Sequence, residues 1–318
     1  LGDRMKNNYE RRSKRMFPRR TNMYIRIDGK AFHTYTRNCK RPYDKDLMMH
    51  MNLTAKYLCE SIQGAQFALI QSDEISLLIT DFKKEGTSAW FDGCQNKIES
   101  ISASMATARF NEIRNAWRSE RLIDLRKDLT NLRMENAEGI IDPEAFATSE
   151  KEILDEISML NKHREGSTHS SGTVALFDSR AEIVPDPFEL ANKFVWRQQD
   201  AVKNSLQMAA RAFYSHRELH GKNGSEMQDM IHAAGANWND YPAGFKRGRM
   251  VVKADSLPVS EKDESFSYGS ESTTRPENWA IVEPPIFTQN WEYLYSRIPT
   301  VFGKSVQEIV ELIERNEE

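Results

Sequence analysis

Two short apolar runs each break off at an acidic turn, and this pairing constrains the chain more than any other feature. Met23-Tyr24-Ile25-Arg26-Ile27 reads as a buried strand that runs into Asp28-Gly29-Lys30, where glycine permits a tight departure. Phe67-Ala68-Leu69-Ile70 and Ile75-Ser76-Leu77-Leu78-Ile79 read as an antiparallel hairpin around the polar turn Gln71-Ser72-Asp73-Glu74. Between them, residues 44–62 read as a helix with Leu47, Met51, Leu58 and Ile62 on one side. If the first strand pairs beside the hairpin, the crossover brings Asp28 and Asp73 to one edge of a sheet.

The pattern continues with a second helix over 90–117, whose stripe is Ile98, Ile101, Met105 and Ala108. Strand propensity returns at 173–177 and 182–184, Pro185 and Pro187 interrupt, and 188–219 supply a long helix. The order predicts an α+β fold: a palm-like antiparallel sheet with packed helices, a ferredoxin-like core with helical insertions, and one sheet face left free for a partner. The divisions expected are a basic arm over 1–22, a palm-like core over 23–117 and 173–219, a charged helical insertion over 118–172, and a C-terminal packing region over 220–318. In the last region Trp279, Trp291, Tyr293 and Tyr295 read as a packing strap before a final helix over 305–315.

Charge narrows the function classes. The formal net charge of −3 excludes a uniformly basic coat for nucleic acid, although residues 1–20 hold eight Lys or Arg against two acids. Cys39, Cys59 and Cys94 form an odd set without a CxxC pair, which argues against a disulfide scaffold or thiolate zinc and for a reducing compartment. No run is apolar and long enough to span a membrane, and the basic start lacks the apolar stretch of a secretory signal, so a cytoplasmic protein with no membrane partner is expected. The scattered histidines lack an HExxH pattern.

The acidic turns suggest phosphoryl chemistry. Magnesium prefers hard oxygen ligands, which Asp28, the Gly29 carbonyl and Asp73 present, with substrate phosphates completing the shell. Glu74 is a further ligand or an electrostatic tuner, or simply a solvent-facing residue after an outward turn. Backbone amides from Lys30, Ala31, Phe32 and His33 suit a triphosphate in a tight turn, although this is not a Walker loop, and Lys97 suits its outer charge. Lys222, in the polar segment 215–222, is a weaker phosphate candidate. Ordinary turn formation by Asp and Gly explains the same acidic residues, and from the residues alone both readings stand.

The string Arg26-Ile27-Asp28-Gly29-Lys30-Ala31-Phe32-His33 with Gln71-Ser72-Asp73-Glu74 resembles the tRNA-histidine guanylyltransferase superfamily of 3′–5′ nucleotide polymerases. Further similarity lies at Lys40 to Asp44, Phe177 to Arg180, Trp196-Arg197-Gln198-Gln199-Asp200, Asn204 to Leu206, and the segments 215–222, 237–242 and 245–248. The resemblance implies two magnesium ions on Asp28, Gly29 and Asp73 with Glu74 close by, a triphosphate contact at Lys97, and a substrate-RNA region that includes Asn204. Val202 stands where the eukaryotic branch has histidine, so the chain is more similar to the bacterial guanylyltransferase-like branch. That branch implies template-directed repair of 5′-truncated tRNA, with ATP activating a 5′-monophosphate and GTP or other nucleotide triphosphates added, and a homo-tetramer.

RNA duplexes are read through shape and phosphates, so Arg19, Arg20, Lys203, Lys246, Arg247 and Arg249 are candidate backbone contacts. Trp196, Trp238 and Phe245 belong either to an RNA-facing surface or to packing. Three other functions are compatible with a palm-like sheet: guanosine addition to histidine tRNA, nucleotidyl cyclisation, and RNA binding without catalysis.

Overall fold

The computed structural model describes residues 1–162, 174–254, 278–300, 307, 308, 310 and 311. Strands β1 (Met23–Gly29), β2 (Ala65–Gln71), β3 (Glu74–Ile79), β4 (Phe177–Ile183), β5 (Arg249–Lys253) and β6 (Trp279–Val282) form one antiparallel sheet in the order β4-β1-β3-β2-β5-β6. The α+β, palm-like reading holds. β1 lies between β3 and β4, so Asp28 is level with Glu74 on one side and Asp178 on the other. Met23 marks the opposite end of the sheet, level with Ile79 and Ile183.

Side chains alternate across a strand, and in β1 to β3 both sets are apolar, the pattern of a sheet buried on two faces. Ile25, Ile27, Ile70 and Leu77 pack under α1 (Lys45–Ser61) and α2 (Gln95–Ala137), against Met51, Leu58, Ile98 and Phe110. Tyr24, Phe67, Leu69 and Leu78 pack under Leu190, Ala191 and Phe194 of the helix Pro187–Arg211. The expected free face is therefore covered. Each fully buried Phe or Leu in these layers contributes about 1.5–3 kcal/mol over its exposed state, so the strong apolar face of this helix decides the packing.

Asp44 caps α1 by accepting from the amides of Asp46 and Leu47, and the 44–62 helix stands. α2 starts later than expected, after a turn of 3-10 helix over Trp90–Gly93, and runs 43 residues, far past 117. Its buried stripe is Ile98, Ser102, Ala106, Phe110 and Ile113, while Ile101 and Ala108 are exposed. Small residues mark this face because α2 sits close on the edge strand, where Ser102 Oγ and Ser179 Oγ are 2.8 Å apart. A turn at Gly139 leads to α3 (Pro143–Lys162), which pairs back on α2 through Arg121–Glu156 and Arg133–Glu150. The remainder of the expected insertion, 163–172, lies outside the described residues.

The strands expected at 173–177 and 182–184 are one strand, β4, with Thr173 outside the described residues. Its polar centre, Asp178 to Arg180, hid it: as an edge strand it buries only alternate residues. The long helix is α4 (Pro187–Arg211), capped by Asp186, and a separate turn His216–Leu219 with its own Ser215 capping box replaces the rest. α5 (Gly224–Ala233) follows, and β5 and β6 then extend the sheet beyond β2. Trp279 is core, and Trp291, Tyr293 and Tyr295 pack on the α4 side. Of the expected final helix only 307, 308, 310 and 311 are described, and these are helical.

Candidate active site

The two acidic turns meet at one end of the sheet. Left-handed Ser72 (φ 46°) tightens the β2–β3 hairpin, and the Gly29 amide donates to the Asp73 carbonyl at 3.1 Å, tying one turn to the other. Gly29 is required by close approach: a Cβ there would lie 2.3 Å from the Phe32 ring.

Asp28 and Asp73 are the two carboxylates of the turns, and Asp28 is paired with Arg26 at 2.9 Å. Burial raises the Asp28 carboxyl above its ordinary value; Arg26, donating at 2.9 Å, partly offsets the shift while Glu74 and Asp178 add to it. Asp73 is pushed up to about 6, by burial first and then by Asp28. Two half-buried carboxylates whose ionised forms are both disfavoured, Asp73 partly by Asp28 itself, fit a bound cation, which reverses that penalty. The residues that fit magnesium are Asp28, Asp73 and the Gly29 carbonyl, all hard oxygen donors. Among the described residues no group of three or more His, Cys, Asp or Glu forms a metal cluster, so phosphate oxygens and water are needed to complete such a shell.

Glu74 is not solvent-facing. It is buried at 4% exposure, its two oxygens accept from Arg197 at 2.8 and 2.9 Å, and the Arg26 guanidinium is ion-paired with it at 2.7 Å. Gln71 and Ser76 each add a donor at 3.1 Å. The Arg197–Glu74 pair ties α4 to the acidic end of the sheet, and Arg197 also donates to Asp200 of its own helix at 2.7 Å. A residue after an outward turn reads as solvent-facing, one of the three readings open to Glu74, but it is the first residue of β3 and its side chain lies against Arg197 of α4.

The other candidates scatter. The Lys30 amide is already donated to the Leu176 carbonyl at 2.8 Å, so it is not free for a triphosphate. Ala31, left-handed at φ 53°, opens the single turn Phe32–Tyr35, which begins at Phe32 and His33. Phe32 itself is core. Lys97 is exposed in the first turn of α2, its ammonium 5.9 Å from the Phe91 ring centroid. Glu99 accepts from the Ala181 amide and Thr107 from the Phe177 amide, so Lys97, two residues before Glu99, lies just past the Ala181 level, roughly 12 Å along the helix from the Asp178 level.

Arg19 and Arg20 lie at the far end of the sheet: Asp81 pairs with the Arg19 guanidinium at 3.5 Å and accepts from the Arg20 amide at 3.0 Å. Lys203 and Asn204 are exposed on α4 beyond Arg197, with Asn204 donating to Asp200 at 3.3 Å. Lys222 pairs with Glu226 at 3.1 Å and lines a cavity of about 200 Å³ with Arg211, His216 and His220. Lys246 donates to the Asn239 carbonyl and lies over Trp238, and Arg247 is half-buried beside it. Arg249 is not a surface contact; it is fully enclosed, donating to Asn52 at 2.8 Å and to the Gly244 carbonyl at 3.0 Å.

A second cavity, of about 290 Å³, opens beside the Phe32–Tyr35 turn and is lined by Tyr35, Asp44, His50, Arg114 and Trp117. Arg114 donates to the Tyr35 hydroxyl at 3.0 Å, and α3 contributes Met159 and Leu160 to the far wall.

The family model for tRNAHis guanylyltransferase (Thg1) matches residues 2–131. A bacterial tRNA(His) guanylyltransferase (Thg1)-like protein, solved in complex with ATP, is 35% identical over 92% of this chain and 96% of that one, with a TM-score of 0.64. The chain belongs to the tRNA(His) guanylyltransferase family. It is thus a nucleotidyltransferase. The family's bacterial Thg1-like protein in complex with GTP matches at 32% identity over the same shares, 92% and 96%, with a TM-score of 0.59. The Saccharomyces cerevisiae tRNA(His) guanylyltransferase shares the fold at 18% identity and TM-score 0.51, over 78% of this chain and 93% of that one. No curated protein matches the chain. Among the described residues no helix is long and apolar enough to cross a membrane.

Three residues of this end escaped the sequence reading. Arg26 is a charge inside an apolar strand, the one local sign that it needs a buried partner. Arg197 and Asp178 sit within motifs of the family resemblance, but only the sheet register shows that they flank Asp28 and Glu74.

Proposed function

We propose that this chain adds nucleotides in the 3′–5′ direction to the 5′ end of truncated tRNA, with magnesium, using the tRNA's own acceptor strand as template and ATP to activate a 5′-monophosphate. The convergence of Asp28 and Asp73 at one sheet end, tied by the Gly29–Asp73 hydrogen bond, carries the reading. In the first step a 5′-phosphate oxygen attacks the α-phosphorus of ATP and pyrophosphate leaves. In the second, the 3′-hydroxyl of the incoming nucleotide attacks the 5′-phosphorus and AMP leaves; with a 5′-triphosphate end, pyrophosphate leaves instead.

Asp28, Asp73 and the Gly29 carbonyl hold the magnesium, which when bound neutralises phosphate oxygens and lowers the proton affinity of the attacking hydroxyl. Glu74, saturated by two guanidiniums, is a positioning residue that fixes the Asp73 turn against α4. The amides of Ala31, Phe32 and His33 meet the triphosphate, whereas Lys97, set away along α2, adds positive charge at a distance. The cavity at Tyr35, His50 and Trp117 has the size and aromatic walls that suit the base of ATP or GTP, the nucleotides held by the bacterial relatives. Lys203, Asn204, Lys222, Lys246 and Arg247 meet the RNA backbone, and Arg19 and Arg20 meet it far from the reacting phosphate. The enzyme works in the cytoplasm as a homo-tetramer.

The test is purified protein with magnesium, ATP and nucleotide triphosphates on a 5′-truncated, 5′-monophosphorylated tRNA. Growth mapped to the 5′ end, lost at least 100-fold in Asp28→Ala and Asp73→Ala, is expected. No growth on an RNA that binds, or undiminished growth in both variants, overturns the reading.

A further inference from the structure

Trp196 breaks the rule that a large aromatic within a packed helix is buried. Its neighbours Val195, Arg197 and Gln198 are buried, yet the indole is 53% exposed on α4. One ring face is covered by the Arg197 guanidinium, 4.5 Å from the centroid. That guanidinium is held by Glu74 and Asp200, so the indole rests on a fixed support.

The location follows from the helix period. Lys193, three residues earlier on the same side, pairs with Glu182 of the edge strand β4 and lies over the Tyr24 ring. Trp196 therefore stands one turn further along the flank of α4 that overlooks β4. The outward residues of β4, in order from Glu182, are Arg180 and then Asp178, and Asp178 is the register partner of Asp28. An open aromatic face thus stands on the flank of α4 beside β4, on the side toward Asp178 and Asp28. Lys203 follows two turns on.

We propose that Trp196 is a stacking platform for the nucleobase at the 5′ end of the bound RNA, holding that base while its phosphate lies at Asp28 and Asp73. Stacking on an indole is indifferent to base identity, because every base has a π face, and this suits an enzyme whose acceptor ends differ. The inference rests on the reading of Asp28 and Asp73 as the reaction centre, but its test reads binding and not chemistry.

A truncated tRNA carrying 2-aminopurine as its 5′-terminal base is titrated with the full-length protein. Quenching of the fluorophore is expected with wild type and with Trp196→Phe, and its loss with Trp196→Leu, whose RNA affinity falls roughly 10- to 100-fold. An RNA with an abasic 5′ nucleotide should bind wild type and Trp196→Leu equally, which a merely structural tryptophan would not produce. Retained quenching and unchanged affinity in Trp196→Leu overturn the platform. So does a shift in oligomeric state by light scattering with RNA binding intact, which would make Trp196 a contact with a second copy of the chain. If wild type quenches but never extends the RNA, the platform stands and the proposed reaction fails.

Discussion

Replacing Arg197 by Met tests the buried ion network more directly than any other change. The side chains of Arg197 and Glu74 are 5% and 6% exposed, and Met keeps much of the volume while removing both hydrogen bonds to Glu74 and the one to Asp200. Removing one partner of a buried pair costs about 3–5 kcal/mol, mostly from the charge left behind. Arg26 still reaches Glu74 at 2.7 Å, which places the cost near the lower end, about 3 kcal/mol. The Asp200 arm is partly exposed and adds at most about 1 kcal/mol. Urea unfolding followed by far-UV circular dichroism, extrapolated linearly, should show that loss at an unchanged m-value. In Arg197→Met/Glu74→Leu the stranded carboxylate is gone, so the double variant should lose at least about 2 kcal/mol less than the sum of the singles. A single-variant cost below about 1 kcal/mol, or strict additivity, would refute the assignment of Glu74 as a buried charge neutralised chiefly by Arg197.

Asp73→Asn should stabilise the metal-free protein while abolishing nucleotide addition. The folded carboxyl titrates near 6 against 3.8 for the ordinary group, so the penalty for ionising it is absent below about 4 and complete above about 6, worth up to about 3 kcal/mol at pH 7.5; equal stabilities of the two proteins at that pH would contradict this. His50 has the opposite pH sign: burial lowers it from 6.5 to about 4, so the folded state resists the proton that the unfolded chain accepts, and stability is full above 6.5 and falls by up to about 3 kcal/mol towards pH 4. In thermal scans His50→Leu should flatten that decline, and an unchanged slope would count against it. Gly248→Ala should cost about 2 kcal/mol or more, because φ is +86° and the new Cβ would lie 2.6 Å from the Ile70 carbonyl oxygen; a neutral result in urea would mean that the β2–β5 junction yields readily.

Much of the architecture was legible because it rests on local signals. The apolar runs of β1 to β3, the Asp44 cap of α1 and the glycine at the first acidic turn each declare themselves within a few residues, and together they place Asp28 beside the hairpin. The β4 strand was legible only in part, since an edge strand needs just alternate burial and its Asp178-Ser179-Arg180 centre reads as a loop. The continuation of α2 past residue 117 was hidden for a similar reason: once the helix leaves the sheet, partner contacts such as Arg121–Glu156 sustain it, and charge patterning alone does not reveal a partner.

The sequence alone determined which residue types end the strands, and so where hard oxygen donors would gather: backbone propensity and hydrophobic period act over neighbours in the chain. Only the tertiary structure decided that Glu74 points inward to Arg26 and Arg197, that Lys97 and the basic pair Arg19–Arg20 stand away from the acidic end, and that Trp196 remains open beside it. Those outcomes depend on sheet order and on the helix laid across the second face, and the balance of charge across elements more than a hundred residues apart has no local trace in the chain.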